Sequence, residues 1–274
     1  MLRALITLAT LSLISFKAPE AGSVNSEAII ADAATSSSGD LNSGTNMSFT
    51  EKQAVFDNHI QQVYTSAKLE SKGLDAEVFR KAYIGFQNLK QQGKVSDSKS
   101  ILTVVDFTKS SSRKRLWTID LNTKKVLLNT LVAHGRNTGE AKALKFSNTH
   151  NSYMSSLGFY VTARTYFGKH GLSLKLQGVD EGFNTNAMSR AIVVHGAEYA
   201  TADFIKQYGR LGRSLGCPAV PTEVSKELIE TIKDETVLYI HGADTKYKSD
   251  YLDERAAIET YAMGLPTNGT DVMI

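Results

Sequence analysis

The chain has 274 residues, and its 31 Lys and Arg side chains nearly balance its 28 Asp and Glu side chains, for a net charge of +3. This length suffices for one sizeable hydrophobic core with smaller attachments. The balance of charge argues against a nucleic-acid-binding protein, which would concentrate basic residues on one face. We therefore expect one main domain with helical flanks and no nucleic-acid partner.

The N-terminus has the layout of a secretory signal peptide. Arg3 precedes an apolar run from Ala4 to Phe16, and this run is shorter than the roughly 20 residues that span a bilayer. A buried helix is the alternative, since the nearest small-x-small triplet, Ala31-Asp32-Ala33, lies late. We expect a signal peptide over residues 1–21, and hence an exported periplasmic or cell-envelope protein with no membrane span after cleavage.

Two helices are predicted after a polar linker. Residues 22–48 are rich in Ser, Asn, Gly and Ala without an apolar period, which indicates a disordered linker. Residues 49–93 predict a helical hairpin. Its first helix has Thr50 as the expected N-cap, with Gln53 at the capping-box position. The second helix is expected to begin near Asp75.

Beyond Gly93 the apolar period changes from helical to alternating, which predicts strands. The predicted strands are 101–107, 116–121, 126–132, 158–163, 172–177, 191–195 and 237–241. One helix with Thr222 as N-cap is expected before the last strand. Short strands with few helical crossovers favour a mainly β domain, an antiparallel sandwich or partly closed barrel. We expect this domain over residues 94–243, followed by a helical tail over 244–274.

Cys217 is the only cysteine, so no intramolecular disulfide can form. A thiol is only a few per cent ionised near neutral pH, so a nucleophilic cysteine needs a neighbouring base. His195 ends an apolar strand, where a rigid scaffold can present a base to a cleft. A satisfied structural histidine and a buried inert cysteine remain the alternatives.

The segment Gly212–Pro218, GRSLGCP, surrounds the thiol with glycines that permit sharp turns and close approach to a ligand. Pro218 has no amide hydrogen, so an oxyanion hole must use earlier amides, with Gly216 and Cys217 as the expected donors.

The same segment matches the G-x-S-x-G elbow of serine hydrolases, with Asp234 and His241 following in chain order. That elbow requires a helix directly after the serine, and Pro218 disfavours one. We therefore expect Ser214 to be a hydrogen-bonding neighbour of the site.

No metal or cofactor is expected. His150, His170 and His241 show no metal-ligand spacing, and one cysteine cannot build a thiolate-rich zinc site. The strand-end segment 134–142 lacks the Gly-Lys-Ser/Thr ending of a phosphate loop.

Together, Val194-His195-Gly196 and Ser214-Leu215-Gly216-Cys217 resemble the His-Gly…Ser-x-Gly-Cys signature of the L,D-transpeptidase catalytic domain, which has the YkuD-like fold. The murein L,D-transpeptidase branch is the most similar, since its usual form is Gly-Arg-Ser-x-Gly-Cys-Pro-Ala. The resemblance extends from about Ile101 to Gly242.

The resemblance implies a β-sandwich or partly closed barrel in which Cys217 attacks a tetrapeptide stem of peptidoglycan at its L-centred diamino acid and expels D-Ala. The thioester then passes to an amine. His195 would be the base, with the Gly196 carbonyl orienting its ring. Ser214 and Gly216 would shape the loop that carries Cys217, residues 212–218, called the thiol loop below. Carbapenems would acylate the thiol.

The chain departs from the broader fold directly after the cysteine, where Pro218-Ala219 replaces an aliphatic residue and Arg. The substrate's carboxylate must then be bound elsewhere, because a bidentate arginine is the usual partner of such a group. The candidate substrate-binding residues are Arg213, Arg190, Arg136, His134 and Ser214.

Two other functions stay open. An L,D-carboxypeptidase or related cysteine hydrolase would use the same residues with water as the acceptor. A wall-binding protein would leave Cys217 inert. Papain-like and related wall peptidases place the cysteine before the histidine, whereas His195 precedes Cys217 here.

Overall fold

One eight-stranded mixed sheet dominates the computed structural model, which describes residues 47–265. The strands are β1 Ile101–Asp106, β2 Leu116–Asp120, β3 Lys125–Thr130, β4 Gly158–Gly168, β5 Gly171–Gly178, β6 Val193–Gly196, β7 Ala219–Val220 and β8 Val237–His241. The helices are α1 Phe49–Ser66, α2 Ala76–Gln91, α3 Ala202–Tyr208, α4 Thr222–Ile232 and α5 Glu254–Met263. The expected mainly β fold with a helical hairpin before it and a helix after it is confirmed.

The strand order is β3-β2-β1-β8-β4-β5-β6-β7. The two edges approach each other, because Ala133, just beyond β3, forms an antiparallel bridge with Ala219 of β7. The sheet is therefore nearly closed into a barrel. The sheet, expected to be antiparallel, is mixed, because β1–β8 and β6–β7 are parallel pairs. A parallel pair needs a long connection, and in β6–β7 this connection contains α3.

Alternate residues of the central strands face two separate cores, as the two-residue period of a strand requires. In β8, Val237 and Tyr239 join the core under α1, α2 and α5. Leu238 and Ile240 join the core under α4. The sheet is thus covered by helices on both faces.

Two predicted helix starts were wrong. The N-cap of α1 is Ser48, whose Oγ accepts from the Glu51 N–H at 3.3 Å, while the Glu51 carboxylate accepts from the Ser48 N–H at 2.7 Å. This capping box lies two residues before the predicted Thr50–Gln53 pair. Thr222 is the first residue of α4 and Pro221 is its N-cap, without a side-chain capping bond. Asp75 is confirmed as the N-cap of α2.

The predicted signal peptide, all but the last two residues of the predicted linker, and the end of the tail lie outside the described residues. Between residues 47 and 265, no helix combines the length and the apolar character that crossing a bilayer requires.

Candidate active site

Strand pairing places Cys217 beside β6. His195 of β6 lies opposite Ala219 of β7 in a parallel register, so Cys217, two residues earlier, lies level with Val193. The Val193 N–H points at the Cys217 sulfur, with 3.5 Å between N and Sγ. Val193 and His195 are two residues apart on one strand, so their side chains leave the same face roughly 6.5 Å apart. The His195 imidazole and the Cys217 thiol therefore occupy one side of the β6–β7 edge.

Both side chains line a cleft of about 560 Å³. Its other lining residues are Tyr166, Gly168, Lys169, His170, Arg190, Ala191, Ile192, Val193, Tyr199, Arg213, Ser214 and Leu215. Lys169, Arg190 and Arg213 carry a positive charge, His170 is a fourth basic residue, and none of the lining residues is Asp or Glu. The cleft therefore favours an anionic ligand.

The His195 ring is buried and held by the backbone. Its Nδ1 lies 2.9 Å from the Gly196 carbonyl oxygen, and because a carbonyl only accepts, Nδ1 carries the hydrogen and Nε2 is the basic nitrogen. Burial lowers the pKa of His195, and the nearby His170 and Lys169 charges lower it further. The ring is therefore neutral near pH 7.

The Cys217 thiol is half-buried, with its sulfur 3.7 Å from the Ala191 carbonyl oxygen. Burial raises the pKa of Cys217, although the Val193 N–H and the Arg190 and Lys169 charges act in the opposite direction. Because the thiol pKa is raised and the imidazole pKa is lowered, the resting pair is neutral. A nucleophilic thiolate at this position would require proton transfer to a base.

Ser214 closes the thiol loop. Its Oγ donates to the Cys217 carbonyl at 2.6 Å and accepts from the Gly216 N–H at 3.0 Å. Gly216 has a φ of +128°, and its carbonyl accepts from the Ser155 hydroxyl at 3.2 Å. The Gly216 N–H, one of the two expected oxyanion donors, thus already has an acceptor. No carbonyl or hydroxyl oxygen in residues 47–265 takes the Cys217 N–H.

The serine-hydrolase arrangement is not formed around Ser214. The short strand β7 follows it at Ala219 where the elbow requires a helix. His241 ends β8 and pairs in register with Asp106 of β1, and it does not line the cleft.

Arg190 lies in the cleft wall, but its guanidinium is bonded to the protein. One terminal nitrogen donates to the Ser147 carbonyl at 2.8 Å and to the Ser156 hydroxyl at 2.5 Å. The other donates to the Met154 carbonyl at 2.7 Å and to the Ser152 hydroxyl at 3.1 Å. Four of its five N–H donors thus hold the 147–156 loop.

The other two candidate arginines differ in position. Arg213 lines the cleft and forms an ion pair with Glu140. Arg136 is exposed, with its guanidinium carbon 4.2 Å from the Tyr153 ring centre, and it does not line the cleft.

The His134 side chain is fully buried and does not line the cleft. Its Nδ1 lies 2.8 Å from an Arg115 guanidinium nitrogen, and its Nε2 lies 3.2 Å from the Gly139 carbonyl. Burial and the Arg115 charge lower the pKa of His134 to about 4. Its backbone carbonyl accepts from the Ser214 N–H at 2.9 Å, and this bond links the segment that follows β3 to the thiol loop.

Sequence reasoning missed the turn between β4 and β5. Lys169 and His170 of this turn line the cleft, and the His170 and His195 rings are stacked with centroids 4.2 Å apart and an interplanar angle of 22°. The strand pattern predicts the hairpin, but the pairing of β5 with β6 that brings its turn to His195 is a long-range contact without a sequence signal.

A larger groove of about 850 Å³ lies elsewhere, between the α1–α2 and β1–β2 connections. Its lining includes Lys72, Lys109, Arg113, Lys114 and Lys206 but neither a cysteine nor a histidine. It therefore lacks the thiol and the imidazole of the smaller cleft. In the described part of the chain, no group of three or more His, Cys, Asp or Glu side chains could hold a metal ion.

A family model for the L,D-transpeptidase catalytic domain matches residues 70–241, more than half of the chain. The match confirms the family resemblance inferred from the sequence. It begins before the expected Ile101 and therefore includes α2. A comparison with curated proteins finds no significant match.

Similar solved structures include an L,D-transpeptidase from Mycobacterium smegmatis, at 9% identity and a TM-score of 0.34 over 53% of this chain and 59% of that one. The helical cell shape determining protein Pgp2 from Campylobacter jejuni is 11% identical, with a TM-score of 0.38 over 65% and 61%. An L,D-transpeptidase from Stackebrandtia nassauensis is 13% identical, with a TM-score of 0.33 over 69% and 93%. The chain thus spans about three fifths of the length of the first two structures, and likenesses of this size do not distinguish one activity from another.

Proposed function

We propose, from the premise that the chain belongs to the L,D-transpeptidase catalytic domain family, that it transfers peptidoglycan stem peptides through a thioester on Cys217. The observation that carries this proposal is the placement, in a single cleft, of a neutral imidazole on β6 and of the one thiol two residues before the adjacent strand β7. A thiol with a raised pKa needs such a base, and His195 has its basic Nε2 available for that role.

In the proposed reaction, His195 Nε2 takes the thiol proton as the sulfur attacks the carbonyl carbon of the diamino acid. The carbonyl oxygen becomes an oxyanion, for which the Cys217 N–H is the proposed donor. The imidazolium then gives its proton to the nitrogen of the departing D-Ala, leaving a thioester. An amine of a second stem attacks this thioester, loses a proton to His195 and releases the thiol.

Gly196 and Gly216 have supporting roles in this proposal. The Gly196 carbonyl fixes the tautomer of His195. Gly216 is assigned the backbone conformation that turns the loop, since its N–H is bonded to Ser214.

Charge supports an anionic substrate. Lys169, Arg190 and Arg213 line the cleft without a facing carboxylate among the lining residues. We assign Arg213 and Arg190 to attraction of the stem's carboxylates, with Arg190 also holding the cleft wall. Arg136 and His134 stay candidate residues outside the cleft lining, and His134 acts through its contact with the thiol loop.

The proposal extends to the whole chain. A peptidoglycan substrate requires export to the periplasm or cell envelope, in keeping with the predicted signal peptide at 1–21 and linker at 22–48. The predicted catalytic domain at 94–243 would then act between the hairpin at 49–93 and the tail at 244–274.

The test is intact-protein and product mass spectrometry after incubation with a tetrapeptide muropeptide. We expect a thioester adduct, free D-Ala and a cross-linked dimer with the wild type, and none of these with Cys217→Ala. Cys217→Ser should fold but show no turnover, because a hydroxyl is far less ionised than a thiol. Free tripeptide without dimer would identify a hydrolase, and turnover by Cys217→Ala would refute the proposed nucleophile.

The proposed base has its own test. His195→Ala should lower Cys217 acylation by about 10²–10⁴-fold at neutral pH. The deficit should shrink as pH rises, because more thiolate then forms without the imidazole. His150→Ala is the matched control, since His150 is exposed and bonded only to Ser189 Oγ at 3.0 Å. A deficit independent of pH would mean that His195 only shapes the pocket.

A further inference from the structure

The β4–β5 turn reaches the catalytic end of the sheet. Gly168 pairs with Gly171 at the end of the hairpin, and Ser173 of β5 lies opposite His195 of β6. His170, the nearer of the two turn residues, is thus only three residues from Ser173, which faces His195. Lys169 and His170 are both exposed, and both line the cleft.

The stack between His170 and His195 covers one face of the proposed base. The ring centroids are 4.2 Å apart and the planes differ by 22°. His195 is only 2% exposed, so His170 shields it while remaining open to water itself. The second torsion of a histidine side chain is broad and has no sharp minimum. The bond from Nδ1 to Gly196 and the stack together restrict this torsion.

We propose that His170 is a positioning residue of the active site, which holds the His195 ring in the orientation that directs Nε2 at the Cys217 thiol. This inference rests on the proposed function, because it gives His195 the part of the base. His170 touches neither the thiol nor the reacting carbonyl in this proposal and acts only through His195.

The charged surroundings of His195 give the stack a second consequence. Lys169 and His170 of the turn, together with Arg190 and Arg213, are the basic residues of the cleft, and Tyr166, Tyr199 and Cys217 are its other titratable residues. No carboxylate lines this cleft to stabilise an imidazolium. Burial and the Lys169 charge lower the pKa of His170 as well, so the two rings oppose each other's protonation on the acid side, where a charged His170 lowers the pKa of His195. Removing His170 should raise that pKa and move the acid limb of the reaction to higher pH.

The test compares His170→Ala and His170→Phe with the wild type and with His150→Ala. The first readout is the pH profile of Cys217 acylation by a carbapenem, with alkylation by iodoacetamide in parallel. The second readout is the titration of the His195 ring proton signal by NMR, which needs no substrate. Folding is checked by circular dichroism, and His170 is an exposed turn residue whose replacement leaves the cores intact.

We expect His170→Ala to acylate about 10- to 100-fold more slowly, because small misplacements of a catalytic group cost that much. Its acid limb and the His195 titration should both move to higher pH. His170→Phe should recover most of the rate, since it keeps a stacked ring, but should retain the shifted limb, since it lacks the charge. His150→Ala should match the wild type.

An unchanged rate and an unshifted His195 titration in folded His170→Ala would overturn the proposal, as would a His170→Phe variant as slow as His170→Ala. Failure of the proposed function would look different. In that case the wild type would form no thioester with a muropeptide, while the NMR titration would still report whether His170 acts on His195.

Discussion

Two regions of the sheet are held together in different ways: its middle strands under α2, called the packed region below, and its β6–β7 edge. Under α2, side chains fill the space completely: Gly85 lies directly on the Phe159 ring, which stacks on Tyr239 with centroids 4.4 Å apart. At the β6–β7 edge, hydroxyl groups hold the backbone, as Ser214 and Ser155 do for the thiol loop. Apolar burial supplies stability in proportion to area, whereas hydrogen bonds fix direction. The packed region should therefore determine how stable the protein is, and the β6–β7 edge how fast Cys217 reacts, if it is the nucleophile proposed above.

The largest expected effect is a loss of stability from a substitution in the packed region. In Gly85→Ala, the new methyl group would overlap the Phe159 ring, and overpacking of this kind costs about 3 kcal/mol. Urea unfolding should show this loss of stability, while the acylation rate per folded molecule stays at the wild-type value. Gly264→Ala is the control, since its nearest heavy atom is at an ordinary 3.5 Å. A large fall in acylation rate without loss of stability would contradict the assignment of stability to the packed region and of reaction rate to the β6–β7 edge.

The next effect concerns the thiol loop. In Gly216→Ala, a β-carbon would lie 2.9 Å from the Met154 carbonyl and 3.0 Å from Ile192 Cδ1, at a φ of +128°. Strain of about 2 kcal/mol should move the loop, and acylation of Cys217 should fall by about 30-fold. Gly182→Ala also places a side chain at a positive φ, +76°, but in open space, and it should lose some stability without losing rate. Equal acylation rates in the two variants would show that the loop tolerates the change.

The smallest effect is that of Ser214→Ala. It removes the bond to the Cys217 carbonyl and leaves the Gly216 N–H without its acceptor, which should cost on the order of 1 kcal/mol, or about tenfold in acylation rate. Ser71→Ala, which removes an exposed bond to the Lys68 carbonyl, is the control and should react like the wild type. A loss as large as that of Cys217→Ala would make Ser214 the nucleophile after all.

The comparison also explains what could be predicted from sequence. In and beside the packed region, the apolar residues recur with the period of a strand or a helix, so β1, β2, β8 and α2 were predicted to within a residue or two. Near the β6–β7 edge, α3 has no buried residue and β7 has only two residues, so neither shows an apolar periodicity from which it could be predicted. The helix start at Ser48 was missed because Thr50 offers an equally good capping pattern.

The site divides in the same way. Cys217 and His195 stand out because their neighbours form a motif contiguous in sequence. His170 and the four protein contacts of Arg190 depend on how distant segments meet, which a single sequence does not record. Ser214 was predicted as a hydrogen-bonding neighbour because Pro218 disfavours the helix of a serine-hydrolase elbow. Its partners, the Cys217 carbonyl and the Gly216 N–H, are backbone groups that the sequence alone does not identify.

The parallel pairing of β6 with β7 has a consequence for how the chain can vary. The separation of His195 from Cys217 is set by the register of His195 on Ala219, and not by the number of residues between the two strands. The helix α3 occupies that connection and has no fully buried side chain, although Ile205 packs against the small cluster that contains Ala133 and Ala219. Additional residues at α3 would therefore lengthen the chain while leaving the base and the thiol in place, as surface insertions generally do. This makes α3 the position at which a reporter sequence or a binding module could be inserted into the domain.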